Sequence, residues 1–130
     1  MVVPVNMSWA DGWVMCKAMR SFPVEIDSRD EQLRVYGFLQ RHHERSKFWT
    51  GSTDLYVNMQ WTWMTSGNAV TYTNWVDGQP DNNYNNHTGN WDTCLVLDMS
   101  RQAGWSDEQC EQANYMLCEA DAMSGSILVG

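Results

Sequence analysis

Side-chain oxygens suited to a hard metal ion gather in one part of this 130-residue chain, between Trp75 and Cys110. Gln79-Pro80-Asp81 stands at the near end, Asp92 precedes Cys94, and Ser106-Asp107 precedes Cys110. Three carboxylates and an amide therefore fall in two loops, separated by the apolar run Leu95-Val96-Leu97. That run can form a stiff strand, and the cysteines can tie its ends. Oxygen-only donors suit Ca²⁺ before Zn²⁺. The first expectation is a calcium-dependent binding site, with the rest of the chain as its platform.

The same residues serve enzymatic chemistry poorly. Asp81, Asp92 and Asp107 could be paired as glycosidase acids, but no apolar pocket that would raise one carboxyl's pKa can be read around them. Nucleophile–base motifs, phosphate-binding glycine loops and zinc spacings are absent, so the expectation is a binding protein and not an enzyme. The net charge of −8 disfavours nucleic acid and anionic membrane surfaces as partners. No stretch approaches the ~20 apolar residues of a membrane span.

The platform reads as one domain, and eight tryptophans argue against disorder. Cys16, Cys94, Cys110 and Cys118 lack the close spacing of a zinc knuckle or a redox dithiol. Four cysteines allow three pairings. An even count at wide spacing favours structural disulfides and an oxidising compartment, hence a secreted, extracellular protein. A signal peptide is not expected within this chain, because Val2-Val3-Pro4-Val5 is too short for an apolar h-region and has no basic flank.

Two helices should come early. Ser8 can cap a helix that carries Trp9, Trp13, Cys16 and Met19 on one face, as core more than as a ligand platform. Phe22 to Ile26 reads as an extended connector. Ser28-Arg29-Asp30-Glu31 is a capping box. It opens a helix expected to turn Leu33, Tyr36 and Leu39 or Phe38 inward and to end near Arg41-His42-His43. Adjacent histidines diverge by about 100° on a helix, so a solvated helix end is expected there, not a metal site.

Short strands should follow: Phe48 to Gly51, Gln60 to Met64 and Ala69 to Trp75, with turns at Ser52-Thr53-Asp54 and Ser66-Gly67-Asn68. Beyond Pro80 lies a long loop rich in Asn and Gly, a length that usually carries function. Cys94 to Leu97 is a strand, Gly104 to Ser106 turns into another, and Tyr115 to Glu119 is the last. Helices first and strands later give an α+β order. Residues 1–120 form the domain, and 121–130 are expected as a C-terminal tail.

In this order and at these spacings the landmarks resemble a C-type lectin domain over about Val2 to Ala120. They are Cys16 in the first helix, the capped second helix, Phe48-Trp49-Thr50-Gly51, Trp61-Thr62-Trp63 and Tyr72-Thr73-Asn74-Trp75. Gly78-Gln79-Pro80-Asp81, Cys94, Trp105-Ser106-Asp107, Cys110 and Tyr115-Met116-Leu117-Cys118-Glu119 complete the set. The resemblance implies two helices, two small antiparallel sheets, a long calcium-binding loop and the disulfides Cys16–Cys118 and Cys94–Cys110. Closing the shorter loop would be worth roughly 3 kcal/mol and the longer roughly 4–5 in the chain-entropy model.

The resemblance also implies Ca²⁺ held by Gln79, Asp81, Asp92, Ser106 and Asp107, with sugar hydroxyls completing the ion's shell. The Gln-Pro-Asp order resembles the galactose and N-acetylgalactosamine class, where Glu-Pro-Asn would mark the mannose class. Exchanging acid and amide exchanges donors for acceptors around the ion. Tyr84 or Trp91 is the candidate aromatic face for the sugar ring, since Asn83 stands where a stacking Trp often sits. Ser106 replaces the usual Asn, and Asp92 the usual, longer Glu.

At the family's second, structural calcium site Asp54 is present. Asn58, Asn82 and Thr93 stand where carboxylates belong, so a weak or empty site is expected there. Sequons at Asn6 and Asn86 make both glycosylation candidates. The implied function is a secreted lectin for galactose-type glycans or glycoproteins, in the manner of invertebrate single-domain lectins and innate-immune glycan recognition. The alternative is a calcium-independent protein-binding domain whose sugar site has degraded through Ser106, Asp92 and a glycan at Asn86. Weak single-site affinity would call for multivalency, through a dimer or a protein partner.

Overall fold

A computed structural model describes residues 1–42, 46–57, 59–82, 84–85, 90–91 and 93–120, with the main chain alone at 42, 84, 85, 90 and 91. The expected tail, 121–130, and His43 lie outside the described residues.

The first helix, α1 (Trp9–Ala18), begins where the sequence puts it. Ser8 is extended, and its hydroxyl accepts the Asp11 N–H at 3.2 Å. Trp9, Trp13, Cys16 and Met19 pack into a core layer with Trp49, Val96 and Met116. The Trp9 indole N–H donates to the Thr50 carbonyl at 2.8 Å, so the Trp stripe is core. Gly12 is required by this packing, since a Cβ there would lie 2.6 Å from the Met116 side chain.

The connector contributes β1 (Phe22–Pro23), and α2 spans Arg29–His42. The Ser28 hydroxyl accepts the Glu31 N–H, while the Glu31 carboxylate reaches back to the Asp27 N–H, one residue before the expected partner. The inward stripe differs from expectation. Gln32, Val35 and Leu39 are buried, Tyr36 and Phe38 pack at the edge, and Leu33 is 52% exposed. Gln32 replaces Leu33 because both ends of its amide find partners. Its N–H₂ donates to the Ala103 carbonyl at 2.9 Å, and its oxygen accepts the Trp105 indole N–H at 2.8 Å.

Strand β2 (Lys47–Thr53) is the centre of the main sheet. It pairs antiparallel with β3 (Thr62–Trp63). Beyond the ribbon of β4 (Tyr84–Asn85) and β5 (Asn90–Trp91) come β6 (Cys94–Asp98), also antiparallel to β2, and then β7 (Gly104–Glu108) on β6. Strand β8 (Tyr115–Met116) lies parallel to β2, and β9 (Cys118–Glu119) pairs with β1. The architecture is the expected α+β fold with small, mainly antiparallel sheets, β8 being the strand that runs parallel to its neighbour.

Ser52 and Thr53 belong to β2 and not to a turn, because they pair with Trp63 and Thr62. The run from Ala69 to Trp75 is not a continuous strand; it makes single bridges, Ala69 to Thr62 and Trp75 to Trp105. Aromatic packing overrides the ladder there, with Trp75 centred 5.2 Å from Trp61 and Trp105 in edge contact with both Tyr72 and Trp75 at 5.8 Å. The last strand divides at Leu117, whose N–H goes to Trp49 and whose carbonyl takes Val24.

Two core layers sandwich the main sheet. Phe48, Leu95 and Leu97 face α2 and the tryptophans, while Trp49, Cys94 and Val96 face α1. Burial on both faces explains why Leu95-Val96-Leu97 is unbroken and not alternating. Both disulfides are present. Cys16–Cys118 ties α1 to β9 with a Cα separation of 5.7 Å, and Cys94–Cys110 ties the start of β6 to the segment after β7 at 5.2 Å.

Candidate binding site

The β6–β7 pair and the segment on its outer edge build the site. Residues 74–76 run along β7, where the Trp105 N–H donates to the Asn74 carbonyl and the Val76 N–H to the Trp105 carbonyl, each at 2.9 Å. A turn follows, closed by the Gln79 N–H on the Val76 carbonyl at 2.8 Å, with Gly78 at φ +84°, where a Cβ would be strained. The Gln79–Pro80 bond is cis. This path returns Gln79 and Asp81 to the end of β7.

There Gln79, Asp81 and Asp107 meet. Asp107 as a residue is 3% exposed, and its carboxylate accepts the Asp81 N–H at 2.9 Å on one oxygen and the Asn82 N–H at 2.7 Å on the other. The Gln79 amide donates to the Asp81 carboxylate at 3.1 Å, and its oxygen faces the Asp107 N–H at 3.4 Å. Ser106 joins them in a cleft of about 330 Å³, which Lys47, Asp98, Arg101, Glu108 and Gln112 also line. Burial, and then the side chain and charge of Asp81, push the Asp107 carboxyl up to about 6 against the pull of the two backbone N–H groups.

Four of the five expected metal ligands are thus brought together. Asp92 lies outside the described residues, as do Asn83, Asn86 and His87. Tyr84 and Trp91 are Cα partners in the β4–β5 ribbon, with only their main chains described. Asn6 is exposed. Among the described residues no three His, Cys, Asp or Glu side chains form a metal cluster.

The residues present still fit calcium. All four offer oxygen, Asp107 keeps one further lone pair on each carboxylate oxygen, and two acids crowd together at a partly desolvated place. At the expected second site, the Asp54 N–H donates to the Thr93 carbonyl at 3.1 Å. Burial pushes the Asp54 carboxyl up. One oxygen each of Asp54 and Asn82 is buried without a partner among the described residues. Asn58 is outside them.

Sequence reasoning missed Asn82 as a backbone donor and the wall formed by Lys47, Asp98 and Glu108. Strand alternation could have found Glu108, two residues from Ser106 on the same face of β7. Lys47 and Asp98 needed the β2–β6 register, in which they are Cα partners.

A disulfide-closed α+β domain with an oxygen-rich loop site at the end of an edge strand defines the class, and the chain belongs to the C-type lectin domain family. The family model, Lectin C-type domain, matches residues 5–120. Perlucin of Haliotis laevigata is 31% identical over 120 residues, covering 90% of this chain and 72% of that protein. Asialoglycoprotein receptor 1 of Mus musculus is 31% identical over 112 residues, 85% of this chain and 37% of the receptor's length. Among solved structures, the mouse scavenger receptor C-type lectin carbohydrate-recognition domain superposes with a TM-score of 0.75 at 31% identity, covering 87% of this chain and 82% of that one. The matched family and this carbohydrate-recognition domain are binding modules, not enzymes. Among the described residues no helix is long and apolar enough to cross a membrane.

Proposed function

We propose that this chain is a secreted, calcium-dependent lectin that reads galactose-type sugars on glycans or glycoproteins. The observation that carries the reading is the hydrogen-bonded set of Gln79, Asp81 and Asp107 in one cleft with Ser106. Gln79, Asp81, Ser106 and Asp107 would hold Ca²⁺, with Asp92 as the third carboxylate. When bound, the ion supplies a Lewis-acidic centre for two vicinal sugar hydroxyls. The protein's part is to orient the sugar. Gln79 contributes both an amide donor and an acceptor, and Asp81 contributes acceptors only, the order that the galactose class uses.

Ser106 supplies one hydroxyl where an amide would supply two groups, so affinity per site is weak and avidity matters. The second cation site, with Asp54 as its one carboxylate, is weaker still. The two disulfides support an extracellular location, and Asn6 and Asn86 would carry glycans. The test is calorimetry with galactose in about 5–10 mM CaCl₂, roughly tenfold above weak extracellular sites, together with a galactose resin. Heat and EDTA-sensitive retention are expected; absence of both sinks the reading.

One observation favours a second reading, calcium-independent protein binding. Leu55, Tyr56, Val57 and Met59 form an exposed apolar loop directly after Asp54, with Tyr56 78% exposed. Capture of a glycan-free protein partner in EDTA, unaffected by galactose, would support it. Retention eluted by galactose would count against it.

A further inference from the structure

A second cleft, of about 480 Å³, adjoins the first, and the two share Val76 and Arg101 as a common wall. We propose that it is a second saccharide subsite, taking the next residue of a neutral oligosaccharide whose terminal sugar occupies the first. The proposal rests on the sugar-binding reading above. Each cleft is within the range of about 300–1,000 Å³ for small-ligand sites, so their junction makes room for more than one sugar ring.

The lining has the chemistry of a polyol site. Arg101 donates, the amides of Asn74 and Gln102 donate and accept, Ser100 offers a hydroxyl, and Asp77 accepts. Val76 supplies an apolar surface between them. A neutral sugar needs both donors and acceptors over a short span. An anion would be served by Arg101 but repelled by Asp77, so the set selects an uncharged ring. The Arg101 guanidinium forms no ion pair with any described residue and keeps its donors for a ligand. The other described arginines are equally without an ion pair; position at the junction of the two clefts sets this one apart.

Both walls are held rigid, as a subsite requires. On one side, residues 74–76 are pinned to Trp105 by two backbone hydrogen bonds. Gly104 makes room for Val76, since a Cβ there would lie 2.5 Å from its methyl. On the other, Asp98 caps the 3₁₀ turn Met99–Arg101 by accepting the Ser100 N–H at 3.0 Å and its hydroxyl at 2.6 Å. Gln102 and Ala103 then both take left-handed conformations, φ 58° and 59°, which cost energy outside glycine. The Ala103 carbonyl is anchored by the buried Gln32 amide.

The test compares methyl β-galactoside with lactose by calorimetry in about 10 mM CaCl₂, on the natural chain and on Asp77→Ala, Asn74→Ala and Arg101→Ala. The natural chain should bind lactose about fivefold more tightly, the worth of one or two added hydrogen bonds. Each variant should lose that advantage, and Asp77→Ala and Asn74→Ala should bind methyl β-galactoside as before. Equal affinities in the natural chain, or an advantage that survives all three substitutions, overturns the subsite while leaving the sugar reading intact. If the natural chain binds neither sugar, the sugar reading fails and the subsite with it.

Discussion

Two pairs of acids in this protein each contain one carboxyl raised by burial, and they differ in their access to solvent. At the junction of β1, β9 and the turn after β3, Glu25 and Glu119 are 8% and 4% exposed. Glu119 accepts the Glu25 N–H, and Glu25 accepts the N–H groups of Thr65 and Ser66. At the end of β7, Asp107 is as buried as Glu119 and also accepts backbone N–H groups, but its neighbour Asp81 is exposed and both line an open cleft. Burial pushes Glu119 up to about 7 and Asp107 up to about 6, in each case with neighbouring acids adding to it. A displaced carboxyl pKa therefore does not by itself mark a binding site. The glutamates fasten three elements of the fold together. On the proposed reading, the aspartates instead offer their carboxylates to a ligand in the open cleft.

The largest expected effect tests that division at the open pair. Asp107→Asn should abolish calcium-dependent galactose retention, a loss of ~100-fold or more, since it removes a ligand charge and turns an N–H₂ toward one backbone donor. Losing one of its two backbone bonds costs on the order of 1–2 kcal/mol, which the disulfide-tied fold survives, as near-UV circular dichroism would show. Retention by the variant would mean that the aspartate pair is structural like the glutamates.

The reciprocal change at the closed pair should act on stability alone. Glu119 has a folded pKa of about 7, above its ordinary 4.5. Between those values the folded state holds a proton that the unfolded chain has lost, so stability falls as pH rises through that window and levels off above it. Glu119→Gln keeps the acceptor for the Glu25 N–H and removes the charge. It should stabilise the protein by on the order of 2–3 kcal/mol at pH 8 and by little at pH 4. Denaturant melts at the two pH values check this. Equal gains at both, or altered galactose binding, would break the contrast between the pairs.

How much of this could be read from the sequence follows from the distance over which each contact acts. The Ser8 cap and the Trp9–Met19 face are set within two or three turns, and they were legible. The inward stripe of α2 was misread at Leu33 because the partners that make Gln32 a core residue lie 71 and 73 positions away. The strand expected from Ala69 to Trp75 gave way to Trp61 and Trp105, whose positions only the fold supplies. At the site, the residue types at Gln79, Asp81 and Asp107 were legible from motif order. That Asp107 would be buried and would take its hydrogen bonds from residues 81 and 82 was not, since those contacts span 25 and 26 residues.

The smallest expected effect concerns the rim where the cleft meets bulk solvent. Lys47 pairs with Glu108 at 2.6 Å, with side-chain exposures of 45% and 14%, and Glu108 and then Asp98 raise its pKa further. An ion pair this exposed is worth less than about 1 kcal/mol. Glu108 also accepts from the Asn114 amide at 3.0 Å, so it stays in place without its lysine. Lys47→Met should therefore move the melting point little. It should instead tighten calcium about twofold at low salt, because it deletes a positive charge from a cleft whose acids would hold a cation, and the gain should fade as salt screens it. A calcium titration at two ionic strengths reads this directly. A weaker calcium affinity in Lys47→Met would place the pair among the contacts that shape the site, and the division between fastening acids and presenting acids would then have to extend to its rim.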